Sequence, residues 1–240
     1  MKSKSLSVIL PTLNEAQNIT PLVYKIVSLI NPDEILIIDD NSNDGTGGSA
    51  RKLSLEYPSV FVTVNDPPLG LAASIQKGID LSSSDYVAWM DADFSHPPET
   101  LLKMINKITS CDLVIGSWNK RGGKDKRKER LTRLLSFAVN KTCRLLFYNR
   151  ITAYTSGFIL VKKQIIKEYS LKGDYGEYCI DLLVRLSARG YKIKEEPFKC
   201  VSRIKGQSKT SPNLYVYFKK GLGYLIMIVS LYSFFLGKNN

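Results

Sequence analysis

"LSVILPTLNEAQNITPLVYKIVSLINPDEILIIDDNSNDGT" runs from Leu6 to Thr46 and holds two strand-like runs, "LSVIL" and "EILII", on either side of a longer one, "EAQNITPLVYKIVSLI". The short runs are rich in β-branched residues and nearly continuous in apolar character, as buried strands are. The long run carries its apolar residues at helical spacing. The same alternation continues through "GGSARKLSLEY", "VFVTV", "LAASIQKGIDL", "YVAWM", "PETLLKMINKI" and "DLVIG", to about Gly116. Strands alternating with helices in this way predict an α/β fold, a mostly parallel sheet with helices on both faces. Ligands of such sheets bind beyond the carboxyl ends of the strands. The segments to read for function are therefore "PTLNE", "DDNSNDGT", "NDPPLG" and "DADFSHPPE", one after each of the first four strands.

In "DADFSHPPE", Asp91 and Asp93 stand one residue apart at the end of an apolar run, next to His96, the only histidine of the chain. Two carboxylates this close repel unless one protonates or a cation joins them. Oxygen ligands suit a hard divalent ion, Mg²⁺ or Mn²⁺, which commonly completes its shell with substrate phosphates. Pro97, Pro98 and Glu99 open the next helix. His96 has neither a second histidine nor a cysteine nearby, so the expectation for it is a structural bond within the turn rather than metal ligation.

The chain has 240 residues, 44% of them hydrophobic, enough for one large α/β domain or a domain with an appendage. With 34 basic and 22 acidic residues its net charge is +12, which points to an anionic partner: nucleic acid, a phosphate-bearing ligand or an acidic membrane surface. No aromatic stacking platform or nucleic-acid-binding motif accompanies these charges, which argues against nucleic acid. Cys111, Cys143, Cys179 and Cys200 form no CxxC pair, so neither a zinc site nor a disulfide framework is expected, and a reducing cytosolic compartment is. The apolar run before Pro11 is too short for a signal peptide.

Past Gly116 the composition shifts. "NKRGGKDKRKERLTR", Asn119 to Arg133, holds eight basic residues against two acidic ones and reads as a mobile basic loop running into a helix, "LLSFAVNKTCRLLF". "TSGFILV" reads as a strand, "EYCIDLLVRLSARG" as an amphipathic helix closed by Gly190, and "YKIKEEPFKCVSRIKGQSK" as two short extended runs with a basic loop. At the end, "GLGYLIMIVSLYSFFLG", Gly221 to Gly237, is 17 residues without a charge. Its helical length is roughly 25 Å against a ~30 Å hydrocarbon core. Membrane contact is expected, as an interfacial helix or a short single span.

In order and spacing, "PTLNE", "IDDNSNDGT", "MDADFSHPPE", "TSGF" and "RIKGQSK" resemble the family 2 glycosyltransferases of GT-A (Rossmann-like) fold, and among them the dolichol-phosphate (polyprenyl-phosphate) mannose synthases. The resemblance covers about residues 5 to 210, which sets a glycosyltransferase domain at 1–210 and a membrane-associating tail at 211–240. It implies a metal ion on Asp91, Asp93 and Ser95 that bridges the diphosphate of a nucleotide sugar. Around that donor it sets Pro11, Leu13, Glu15, Ile38, Asp40 and Ala92. It also sets Arg203, Ser208 and Lys209 near the phosphates, with Asp93, Arg203 and Lys209 as the catalytic group. For the acceptor lipid monophosphate the basic loop and following helix offer Arg121, Arg130, Arg133 and Ser136. Two positions depart from the pattern: Trp118 stands where relatives usually carry arginine, and Ala153 where they usually carry aspartate. The implied activity is inverting transfer of mannose from GDP-mannose to a dolichyl or polyprenyl phosphate at the cytoplasmic face of a membrane. A UDP-sugar-dependent polyprenyl-phosphate glucosyltransferase and a non-catalytic, membrane-tethered nucleotide- or lipid-binding module are the alternatives.

Overall fold

A computed structural model describes residues 4–173, 175–202 and 214–238. Strand β1 (Leu6–Thr12), helix α1 (Ala16–Leu29) and strand β2 (Glu34–Asp39) come from the opening stretch. Next come α2 (Thr46–Glu56), β3 (Val60–Val64), α3 (Leu71–Leu81), β4 (Tyr86–Trp89), α4 (Pro98–Ile108) and β5 (Leu113–Ser117). The later elements are β6 (Lys124–Lys126), α5 (Arg130–Leu146), β7 (Ile159–Lys162), α6 (Lys163–Ile166), α7 (Tyr178–Ala188), β8 (Ile193–Pro197), β9 (Lys199–Val201) and α8 (Leu214–Lys238).

The main sheet has the order β3-β2-β1-β4-β7-β5-β8, with β7 antiparallel to both neighbours and every other pair parallel. Its faces explain the continuous apolar runs. Ile9 of β1 lies with Ile75 and Ile79 of α3 on one side, while Val8 and Leu10 lie with Ile19, Leu22 and Ile26 of α1 on the other. On β4, Val87 and Trp89 share the first face and Ala88 and Met90 the second. A strand covered on both sides has no solvent-facing row of polar residues, so its period-2 signal disappears. Gly78 sets the distance between α3 and β1: a Cβ there would lie 2.6 Å from Ile9 Cγ2.

Register brings the expected segments together. Thr12 pairs with Asp39 and Ile9 with Trp89, so the carboxyl ends of β2, β1 and β4 form one edge. Because β7 runs the other way, with Ile159 opposite Trp89, the residues that precede it arrive at this same edge.

Three local expectations are corrected. In "TSGFILV" the strand begins only at Ile159, and Thr155 to Phe158 form the loop that enters it. Helix α7 is buried nearly all round, not amphipathic, since Tyr178 through Val184 are all inside and Asp181 is paired at 2.6 Å with Arg185 one turn on. The basic segment is anchored: β6 within it pairs with β9, and Lys128 N–H donates to Ser202 Oγ at 2.7 Å.

Helix α8 is also not a span. Among the described residues no helix is long and apolar enough to cross a membrane. Its uncharged run is short and diluted by Gly, Ser and Tyr, and one face is committed to the domain. Ile228 and Leu231 are buried, the helix packs on α7 and α5, and Arg185 lies 4.7 Å over the Phe234 ring. Leu222, Leu225, Ile226 and Val229, at i, i+3, i+4 and i+7, remain on an exposed face.

Candidate active site

The turn after β4 is built to present its acids. Asp91 N–H donates to His96 Nδ1 at 3.0 Å, and Ser95 N–H donates to Asp93 Oδ1 at 2.9 Å. Between them Phe94 has φ +66°, the left-handed region, which for an aromatic residue stores strain in the turn. Accepting at Nδ1 puts the imidazole proton on Nε2, which faces Asp91 Oδ2 at 3.9 Å. The His96 ring is buried, stacked on Phe158 at 4.9 Å and 12°, with the edge of Phe198 at 5.6 Å. The sequence expectation of a structural bond from His96 within the turn therefore agrees with the geometry. Pro98 occupies the first turn of α4, where a missing N–H costs nothing.

Asp91, Asp93 and Ser95 all line one cavity of about 1150 Å³. Ser95 Oγ lies 3.5 Å from Asp91 Oδ2, and Ser95 N–H is the group that holds Asp93 Oδ1, so Ser95 touches both acids. Among the described residues no group of three or more His, Cys, Asp or Glu side chains is placed to hold a metal ion by itself. This all-oxygen, incomplete set fits a hard divalent ion that takes its remaining ligands from water and phosphate.

The residues assigned to the donor lie along the adjoining strand ends. Leu13 is exposed and Pro11 half-buried, while Ile38 and Ala92 are buried and can offer a ligand only their backbone. Glu15 precedes α1, where its N–H donates to Thr46 Oγ1 at 2.7 Å and its Oε2 accepts from Asn18 Nδ2 at 2.8 Å. Asp40 accepts from the N–H groups of Leu69 (2.7 Å) and Gly70 (2.9 Å), from Asn65 Nδ2 (3.1 Å) and from Ser74 Oγ (3.3 Å). Burial opposes its charge, but these donors outweigh burial and hold the carboxyl below its ordinary value. Asp40 thus fixes the loop between β3 and α3, a role its sequence context did not reveal.

The same cavity is lined by Leu131, Leu135 and Val139 of α5 and by Leu222, Leu225 and Ile228 of α8. Ser136 lines it, with Oγ 3.0 Å from Thr155 Oγ1. Arg121, Arg130 and Arg133 are exposed and do not line it. Arg203, Ser208 and Lys209 lie outside the described residues. Arg127, which was not singled out in the sequence, does line the cavity, as does Trp118 beneath it. Ala153 is buried, and Glu195 accepts its N–H at 3.2 Å together with that of Thr152 at 2.7 Å. Cys200, opposite Asp125 in the β6 to β9 pair, also faces the cavity; burial pushes its thiol up to about 12, with nearby Arg127 acting against the rise. All four cysteines are buried free thiols.

Comparison with known proteins finds relatives over most of the chain. The chain is 31% identical over 208 residues to a dolichol-phosphate mannosyltransferase of Pyrococcus furiosus, covering 85% of this chain and 58% of that relative's length. It is 30% identical over 211 residues to an undecaprenyl-phosphate mannosyltransferase of Micrococcus luteus, covering 85% of this chain and 86% of the relative. To a polyprenol monophosphomannose synthase of Mycolicibacterium smegmatis it is 32% identical over 212 residues, covering 85% and 80%. The fold is that of glucosyl-3-phosphoglycerate synthase from Mycobacterium tuberculosis, crystallised with Mn²⁺, UDP and glucosyl-3-phosphoglycerate. The two chains have a TM-score of 0.74 and 18% identity, over 96% of this chain and 81% of that one. The family model for glycosyl transferase family 2 matches residues 7–170, well over half of the 240, and with the strand-end acids assembled at one edge this places the chain in that family.

Proposed function

We propose that the protein transfers a mannosyl group from a nucleotide sugar, GDP-mannose on the present reading, to a polyprenyl monophosphate at a membrane surface. One observation carries the reading: a single cavity is lined both by Asp91 and Asp93 and by apolar side chains of α5 and α8. Such a space suits a charged diphosphate and a lipid-borne phosphate at once. The names of the relatives support the sugar and the acceptor class.

The acceptor phosphate is already ionised near neutral pH, so one of its oxygens can attack the anomeric carbon without a strong general base. The carbon–oxygen bond to the nucleoside diphosphate breaks as the new one forms, with inversion. A divalent ion held by Asp91, Asp93 and Ser95 would supply positive charge to the leaving diphosphate. The chain's own contribution is positioning: the His96 bond fixes the acid turn, and apolar side chains of α5 and α8 line the cavity in which the reactants meet. Arg203 and Lys209 are assigned to the leaving diphosphate from sequence alone. Leu222, Leu225, Ile226 and Val229 of α8, with Leu131, Leu134 and Leu135 of α5, form exposed apolar faces suited to rest in a membrane interface.

The test is a donor screen with the full chain, Mn²⁺ and a short polyprenyl phosphate, with products read by mass spectrometry. A mannosyl-phosphoryl lipid from GDP-mannose is expected, and its loss in Asp93→Ala. Product from UDP-glucose alone would refute the donor assignment. Metal-dependent nucleotide binding with no product from any donor would refute catalysis.

A further inference from the structure

Arg127 is the one arginine or lysine among the described residues that line the cavity. Two contacts hold it there. Nε and Nη2 donate to Asp125 Oδ1 (3.0 Å) and Oδ2 (2.7 Å), and the guanidinium lies 5.0 Å over the Trp118 ring. Trp118 is itself buried, edge-on to Phe198 at 5.9 Å, and Phe198 meets His96 at 5.6 Å. A run of packed rings thus connects the seat of Arg127 to the turn that carries Asp91. Asp125 is fixed in turn by β6, whose register sets it opposite Cys200 of β9.

A guanidinium has five N–H donors, and the fork to Asp125 uses only two. Burial works against its charge, while Asp125 and Glu129 more than restore it. Held on a ring and by a fork, the side chain has little conformational freedom left to lose when it binds an anion. Its position selects the anion. Arg127 stands three residues before α5, whose Leu131 and Leu135 form an apolar wall of the same cavity, so the phosphate within its reach is one that carries an apolar chain.

We infer that Arg127, seated on Trp118 and held by Asp125, binds the phosphate of the polyprenyl-type monophosphate acceptor and so sets the enzyme's preference for that acceptor. The inference rests on the acceptor class proposed above. The exposed Arg121, Arg130 and Arg133 of the same segment do not share this role, since none of them lines the cavity.

The experiment uses the full chain with Mn²⁺, a short polyprenyl monophosphate and the corresponding alcohol. It compares steady-state transfer with calorimetric binding of GDP or UDP, whichever the wild type binds. Arg127→Met keeps length without charge. It is expected to raise KM for the monophosphate about ten- to a hundredfold, as loss of a charge-assisted bond does. kcat should stay within about threefold, as should affinity for the nucleotide and for the alcohol. Arg127→Lys recovers part of the loss, as a point charge without the fork would. An unchanged monophosphate KM in Arg127→Met overturns the inference. So does an equal loss of nucleotide affinity, which would mean that Arg127 acts on the donor or through the fold. A wild type that binds the nucleotide but neither binds nor uses the monophosphate defeats the acceptor assignment itself. That result is distinct from a failure of Arg127, which leaves wild-type turnover intact.

Discussion

Replacing His96 with phenylalanine and with asparagine separates its two contributions. Phenylalanine keeps a flat ring in the same space, with the 4.9 Å stack on Phe158 and the edge contact to Phe198. It removes the acceptor for Asp91 N–H, now 3.0 Å from Nδ1. An amide left without a partner costs about 1–3 kcal/mol when buried, and the lower half of that range applies to this half-buried position. The larger effect falls on the acids: an unpinned Asp91 N–H lets the turn open, and a loss of about 1.4 kcal/mol in metal binding is tenfold in affinity. Asparagine does the reverse. Its Oδ1 can stand where Nδ1 stood and keep the bond, while the missing ring leaves a void against Phe158 that costs about 2–3 kcal/mol of stability. The assays are urea denaturation and calorimetry of Mn²⁺ with nucleotide, below the transition of both variants. His96→Phe should keep most of its stability and lose at least about tenfold in Mn²⁺-dependent nucleotide affinity, and His96→Asn should show the opposite. If His96→Phe binds Mn²⁺ and nucleotide like the wild type, the imidazole serves packing alone and the reasoning fails.

Two further perturbations test the frame around the site. The Asp40 carboxyl is held below its ordinary value against burial by Leu69, Asn65, Gly70 and Ser74. A carboxyl depressed in the folded state adds stability above its unfolded pKa and loses it as pH falls through the folded one. Asp40→Asn should therefore cost about 1–3 kcal/mol at pH 7, narrowing below about pH 4, in melts across pH; a pH-independent gap would contradict this. On α8, Ile226 and Val229 are 61% and 59% exposed. Changing both to glutamate should leave the melting temperature unchanged and weaken binding to anionic vesicles at least about tenfold. Unaltered vesicle binding would remove this face from the membrane contact.

The first half of the fold was legible because two-sided burial leaves its mark in local sequence: "LSVIL" and "EILII" can hardly be anything but covered strands. The acid turn was legible for an electrostatic reason, since Asp91 and Asp93 require something to join them. What stayed hidden depends on distant neighbours. The direction of β7 is not written in "ILVK", because a strand's apolar pattern is the same read either way. β6 is "KDK", with no apolar residue to announce it, and the basic segment is ordered by distant partners, its pairing with β9 and the Lys128 to Ser202 bond. In α8 the packed and exposed faces are both apolar, so composition marked the helix but not which side meets the domain.

Arg127 shows the same limit at the site itself. It is one of eight basic residues between Asn119 and Arg133, and nothing local separates it from Arg121 or Arg130. The fold separates them by bringing Trp118 beneath it and Asp125 beside it. The net charge of +12 is likewise not the charge of the site: the described lining of the cavity holds Asp91, Asp93 and Glu129 against Arg127 alone. On the proposed function, exposed arginines such as Arg130 and Arg133, on a helix that also exposes Leu131 and Leu134, would act at a distance on an anionic surface through a field screened over about 8 Å at physiological salt. Arg127, fixed by Asp125 and Trp118, would act on the acceptor phosphate in contact, at a separation well inside the screening length. Raising the ionic strength should therefore weaken vesicle binding steeply while changing KM for a soluble short-chain acceptor far less. Parallel losses in both would mean that surface and cavity charges do one and the same job.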